Sequence, residues 1–412
     1  MAALAPTAIR DDGLRPRAAG RLQVLDAVRG LAAVAVVIHH LLLAFWPYLA
    51  DPAVAAPAGR ATLARLIAAS PLASLHDGSF AVVVFFVLSG FVLSHGYLRS
   101  PDSASLQSAA LRRYFRLAIP VLASVLLSYG LLRLGLYHNR RAATVGGSAW
   151  LDQWYRFTPG LLSGPYAAVP RALLGTFFNG SGTPYNNVLW TMSVELPGSM
   201  LVFAFLALFG RARNRWIIYA VGGWVLASQD SLLFDFLLGI ALCDAWLHAP
   251  PMDVRWTAGP LLLAAAVIAY RRPALGDDRL PGLLWTQTIA AALVVAVPLL
   301  SATLRTWADA RPLVLLGRIS FGLYLAHMLV LASLGSATYV LLRRSLAHDP
   351  AALIASGTTL IASLIAGSLL YVLADRPAVR CSAWIVDQLF APRADAASPL
   401  AMPNPSVRRQ AA

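Results

Sequence analysis

The sequence predicts an all-α, polytopic integral membrane protein with about ten transmembrane helices and both termini cytoplasmic. Three observations predict it. Hydrophobic residues make up 58% of the 412-residue chain and charged residues only 13%, whereas a soluble chain typically carries roughly 25%. Several separate apolar runs reach the ~18–20 residues that cross a bilayer. The arginines between those runs are distributed unevenly, with nearly twice as many on the side assigned to the cytoplasm.

Ten spans are read, at approximately 24–46, 80–98, 117–136, 187–209, 216–228, 231–247, 256–270, 283–301, 318–342 and 352–374. They belong to one transmembrane domain, 21–380, with a polar N-terminal segment, 1–20, before it. The N-terminal segment carries Arg10, Arg15 and Arg17. The apolar run after it is too long for a signal-peptide core, so it is expected to remain as a true span. Residues 381–412 read as a flexible cytoplasmic tail rich in Ala and Pro. The one substantial loop, 137–186, is placed outside.

All 33 basic residues are arginine, a bias that suggests a GC-rich, bacterial genome and a cytoplasmic (inner) membrane. The net charge of +14 is scattered between spans. Anionic lipid headgroups account for it better than nucleic acid does. Cys243 and Cys381 suggest neither a disulfide framework nor a zinc site, and no metal is expected.

The first span, VLDAVRGLAAVAVVIHHLLLAFW, carries Asp26, Arg29, His39 and His40. Ionisable groups inside a span are costly and mark pathways or sites. At ~100° per residue, Arg29 and His40 fall within about 20° of one helix face, and ~1.5 Å per residue separates them by roughly 16 Å. The face thus carries a guanidinium low and an imidazole high, with His39 turned about 80° away. A plainer reading pairs Arg29 with Asp26 at i,i+3 and leaves His40 a bonded core histidine.

In the second span, Ser89 and Gly90 suit a close helix crossing. Arg112, Arg113 and Arg116 precede the third span; they are either topology signals or a grip for the phosphates of a nucleotide-bearing donor. Glu195, inside the fourth span, requires a partner, and Arg29 or a histidine would serve. Asp235 and Asp244 in the sixth span have no partner legible in the sequence. His327 lies in the ninth span with Tyr324 one turn before it, an arrangement more often structural than catalytic. The outer loop brings Trp150, Trp154 and Tyr185 near Asn186 and Asn187. It reads either as an interfacial segment anchored by aromatics or as a lid that stacks and hydrogen-bonds an acceptor sugar.

Six short motifs occur in order within these spans: LDAVRGLAA, with an arginine, ten residues and a histidine; FFVLSG; RRYFR; LWTMSVE; ISFGLYLAH; and DRP. In this the chain resembles the membrane-bound acyltransferase-3 family, acyl-CoA-dependent O-acyltransferases. The resemblance runs from about residue 21 to 380. It implies acetyl-CoA or another acyl-CoA as donor and a carbohydrate or glycosylated small molecule as acceptor. It also implies that Arg29 and His40 are an essential pair, that Arg113 and Arg116 are the paired-arginine motif, and that Glu195 is the acid of the fourth span. The chain departs from the pattern at Ala27, Asp375 and Ala326, the last where tryptophan is frequent before His327.

On that basis His40 is expected as general base or transient acyl carrier, with Glu195 orienting or balancing it. Arg29 is expected to bind donor phosphates or the oxyanion, and Arg112, Arg113 and Arg116 to grip coenzyme A. Arg29 and His40 are expected to share one cavity. The rival class is a transporter or flippase for a sugar, lipid-linked glycan or acylated molecule, which would use the same charges as a pathway. No internal repeat of the kind common in transporters is visible.

Overall fold

The computed structural model describes residues 20–50, 54–56, 66, 70–156, 164–179, 183–250, 252–270 and 284–390. Among them every regular element is helical, with one isolated bridge between Thr183 and Asn186. The principal helices are α1 (Gly20–Phe45), α2 (Gly78–Arg99), α3 (Ser103–Arg133), α4 (Asn139–Gly146), α5 (Ala149–Gln153) and α6 (Met192–Phe209). They continue with α7 (Arg215–Ser228), α8 (Leu233–His248), α9 (Ala258–Tyr270), α10 (Leu284–Leu300) and α11 (Arg311–Val330). A π turn, Leu331–Gly335, joins α11 to α12 (Ser336–Leu342). A second, Tyr371–Asp375, joins α13 (His348–Leu370) to α14 (Arg376–Phe390).

Each of the ten expected spans coincides with a helix, and among the described residues six stretches are long and apolar enough to cross a bilayer unaided. These are Leu22–Phe45, Gly78–Arg99, Ser103–Arg133, Asn187–Phe209, Arg311–Leu342 and His348–Leu389. A seventh arises if α10 is joined to Ala302–Ala308 across a 90° bend. The helices α7, α8 and α9, of 14, 16 and 13 residues, fall short of the ~17–25 residues a span needs. Of these, α7 and α9 leave much of their apolar surface exposed, Ile217, Val221, Trp224 and Leu263 among it.

The expected tail is corrected over its first part. Residues 376–390 are helical and pack on α3. Ala378, Ser382 and Val386 face inward at a spacing of four, while Trp384 and Leu389 face out. That spacing is an amphipathic helix, not a loose end. Residues 391–412 lie outside the described residues.

Helix α1 lies centrally, against α2 on one side and α11 on the other, and α2 packs on α8, α6 and α10. The α1–α11 crossing is possible because Gly30 and Gly317 meet there. A Cβ on Gly317 would stand 2.4 Å from the Asp26 carbonyl oxygen, and one on Gly30 would stand 2.8 Å from the Gly317 nitrogen. Gly90 and Gly239 serve α2 and α8 in the same way, as the pairing of Ser89 and Gly90 suggested. The close backbones bring side chains of α1, α2, α6 and α11 within reach of one another, which is what builds the site.

The candidate active site

Two polar centres lie along α1. At the end carrying Arg29, a cavity of about 180 Å³ opens between α1, α2, α3, α6 and α11. Four guanidiniums line it, from Arg29, Arg113, Arg116 and Arg318, against two carboxylates, Glu195 and Asp375. Arg116 and Arg318 are exposed, so they mark the mouth. Phe85, Phe86 and Phe321 supply an apolar wall.

Glu195 finds its partner here. It accepts hydrogen bonds from Arg113 Nη2 and, at 2.7 Å, from Ser89 Oγ. Arg113 Nε also donates to Ser199 Oγ at 2.8 Å. The pair is nearly excluded from solvent, the Arg113 and Glu195 side chains retaining 11% and 9% of their exposure. The expectation that Glu195 would orient or balance His40 is therefore corrected: the carboxylate is engaged by α3 and α2 at the cavity. Pro197, two residues on, has no backbone N–H to give to this turn of the helix. Arg29 bonds Asp26 at 3.2 Å and still lines the cavity, so the plain and the functional readings of this arginine coexist. Arg112 departs from expectation: it reaches Asp387 on α14 at 3.1 Å and does not line the cavity.

The second centre is His40. Its Nδ1 lies 2.9 Å from Nε2 of His327 on α11, and the two rings stack with centroids 5.0 Å apart. The Trp150 ring, on α5, stacks on the other side at 5.5 Å. His39 sits edge-on at 5.6 Å and fills the space beside Gly78. Of the adjacent pair, His40 is the one that meets His327 across the bundle, a contact that the helical face of α1 does not reveal. The sequence signal for His327 is its place in the ISFGLYLAH motif, beside the departure at Ala326.

The cavity beside Arg29 does not extend to His40, contrary to the expectation that the two share one. Arg29 lines the cavity and His40 does not. Tyr324 stands between the two centres: it lines the cavity, and its ring centre is 5.8 Å from that of His327. Its hydroxyl donates to the Val188 carbonyl at 3.0 Å and lies 3.1 Å from Thr191 Oγ1. Two hydrogen-bonding partners hold this ring between the arginines and the imidazoles.

The described part of loop 137–186 is fastened over the His40 end at three points. Ser148 Oγ donates to the Leu43 carbonyl at 3.1 Å, and His138 N–H to the Ala332 carbonyl at 2.9 Å inside the first π turn. Asn186 Nδ2 donates to Ser124 Oγ and to the Leu325 carbonyl, both at 2.8 Å. Asn139 Nδ2 bonds the carbonyls of Leu151 and Trp154, fixing the short helix that carries Trp150. Tyr137 and Tyr155 stack at 4.6 Å, and burial pushes both phenols well up, so they stay protonated. Tyr185 and Asn186 are fully buried, so as placed they brace the loop and offer no surface to an acceptor. Trp154 packs beside Trp150 at 6.0 Å, and Asn187, only partly buried, accepts from Tyr155 at 3.5 Å.

Comparison with known proteins decides the class. The family profile described as an acyltransferase domain matches residues 22–373. The chain belongs to the acyltransferase-3 family.

As an acyltransferase-3 member it is similar to the O-acetyltransferase PaAT-1 of Phomopsis amygdali, 27% identical over 76% of this chain and 73% of that protein. It is also similar to the acyltransferase clz18 of Cochliobolus lunatus, 26% identical over 39% of this chain and 41% of that one. An acyltransferase from a Phoma species is 26% identical over 48% of this chain and 52% of its own length. No solved structure matches. An acyltransferase-3 protein with this many apolar helices is an integral membrane O-acyltransferase. The acids of α8 that the sequence left unpartnered are structural in this frame: Asp235 accepts from Thr288 at 2.6 Å, and Asp244 from both Arg215 and Tyr219.

Proposed function

We propose that the protein transfers an acetyl or other short acyl group from acyl-CoA to a hydroxyl of a carbohydrate or glycosylated small molecule. The observation that carries the reading is the arrangement along α1: an arginine-lined cavity at one end and a histidine pair under Trp150 at the other, eleven residues apart. The acceptor hydroxyl attacks the thioester carbonyl, a C–O bond forms, and the C–S bond breaks. His40 takes the hydroxyl proton and returns it to the departing thiolate, or carries the acyl group itself between the two half-reactions.

The cavity is smaller than the ~300–1,000 Å³ that enclose a drug-sized ligand. It suits the thioester arm, with the nucleotide phosphates at the mouth against Arg116 and Arg318. Arg29 lies deeper and suits the developing oxyanion or an inner phosphate. The arginine distribution supports both termini facing the cytoplasm, which would load the donor from inside. Placement in a bacterial inner membrane rests on the arginine-only composition alone, the relatives named above being fungal.

Membership of an acyltransferase family leaves no observation favouring the transporter reading. The test is turnover by the purified protein in lipid nanodiscs. Release of free coenzyme A, with an acyl mass added to glycans or metabolites of expressing cells, supports the reading. Solute flux in proteoliposomes without acyl-CoA consumption overturns it.

A further inference from the structure

The geometry assigns a specific task to His327: it fixes the tautomer of His40, so that the reacting atom is His40 Nε2. This rests on the proposed function for His40's chemistry and adds which nitrogen performs it and what holds it there.

The assignment follows from which groups can only accept. His327 Nδ1 lies 2.8 Å from the Tyr324 carbonyl and 3.2 Å from the Leu323 carbonyl. A carbonyl oxygen has no hydrogen to give, so His327 Nδ1 carries the hydrogen of this contact. A neutral imidazole has one N–H, so His327 Nε2 is the bare nitrogen and must accept. The atom facing it at 2.9 Å is His40 Nδ1, which is therefore the donor. A backbone hydrogen bond also joins the His40 ring to Val36, four residues back. A helical histidine reaches that carbonyl through Nδ1, as His327 reaches Leu323, so this contact asks for the same hydrogen. His40 Nε2 is left with a free lone pair. The relay starts from backbone carbonyls of a fully buried helix turn, with His327 only 1% exposed, so nothing in solvent competes for it.

The consequence for the reaction is direct. When Nε2 takes the acceptor proton, His40 becomes an imidazolium, and its Nδ1–H bond to His327 becomes charge-assisted and stronger. The proton then passes from Nε2 to the coenzyme A thiolate, and the neutral tautomer is restored. His327 touches neither substrate in this scheme. It is a positioning residue, with the role that an acid plays behind histidine in hydrolase triads, filled here by a second imidazole whose own tautomer is set by the main chain.

The test uses the full-length chain in nanodiscs with ¹⁵N-labelled histidine. The His40 resonances are identified by their loss in His40→Ala. At a pH where His40 is neutral, the wild-type spectrum should show hydrogen on Nδ1 and none on Nε2; hydrogen on Nε2 overturns the assignment. His327→Leu, which removes the acceptor, should lower kcat by about 100-fold, the upper end of effects seen for supporting residues, with the acyl-CoA KM unchanged. His327→Gln places an amide oxygen where Nε2 stood and should hold kcat within about tenfold of wild type. Equal loss in the two variants, or full activity in His327→Leu, contradicts it. Retained turnover in His40→Ala would instead defeat the proposed function, leaving the tautomer to the spectrum.

Discussion

Arg113 and Glu195 form an ion pair between α3 and α6, and Ser89 of α2 donates to the same carboxylate oxygen. Three helices are thus tied at the wall of the cavity by one buried charge network. Breaking such a pair from one side leaves the other charge uncompensated, at a cost of about 3–5 kcal/mol. Glu195→Ala should lower the unfolding temperature in nanodiscs sharply, and Glu195→Gln less so. Arg113→Met combined with Glu195→Met should recover much of the stability lost by either alone. A stable Glu195→Ala protein with only the chemical step impaired would contradict the structural role.

The arginines of RRYFR should separate in their effects. Arg116 lines the cavity and Arg112 is paired away from it with Asp387. Charged hydrogen bonds are worth about 1.5–3 kcal/mol and less when solvated, so Arg116→Ala should raise the acyl-CoA KM roughly tenfold with little change in kcat. Arg112→Ala should leave both near wild type, because exposed ion pairs contribute about 0–1 kcal/mol. Steady-state kinetics at two ionic strengths read this, and the Arg116 effect should shrink as salt rises.

Trp150 covers the His40 ring from the loop side. Removing that cover admits water to the site where the acyl group is transferred. In Trp150→Ala the release of coenzyme A should exceed formation of acylated acceptor, whereas in wild type the two should match. A thiol assay run beside product mass spectrometry gives the ratio directly. An unchanged ratio with normal turnover would remove Trp150 from the account.

The glycine crossing of α1 and α11 sets the distance between His40 and His327. A Cβ at Gly317 would stand 2.4 Å from the Asp26 oxygen, so the helices must separate to admit it. Overpacking of this kind costs about 1–3 kcal/mol. Gly317→Ala should therefore lower both thermal stability and kcat, the latter because the imidazoles no longer meet. Gly357, where an added Cβ meets open space, is the control position.

What the sequence disclosed and what it withheld follow from range. The apolar runs located every long helix, and the 3.6-residue turn placed Arg29 and His40 on one face because both facts are local. The partner of His40 is 287 positions away, and no periodicity within α1 can announce it. The same holds for Glu195, whose partners Arg113 and Ser89 come from two other helices. Asp235 and Asp244 looked unpartnered for that reason. Tyr324 was visible as a neighbour of His327, but its place beside the cavity depends on the packing of the Asn187–Thr191 turn against α11. The amphipathic spacing of α14 is local and present in RPAVRCSAWIVDQLF; the α3 surface that its apolar face covers is not.

The most direct measurement compares wild type with His40→Ala as purified, folded protein supplied with acetyl-CoA and an acylatable acceptor pool. Wild type should release coenzyme A and add an acyl mass to the acceptor, and His40→Ala should do neither while keeping wild-type thermal stability. Undiminished acyl transfer by folded His40→Ala protein would contradict the account at its centre.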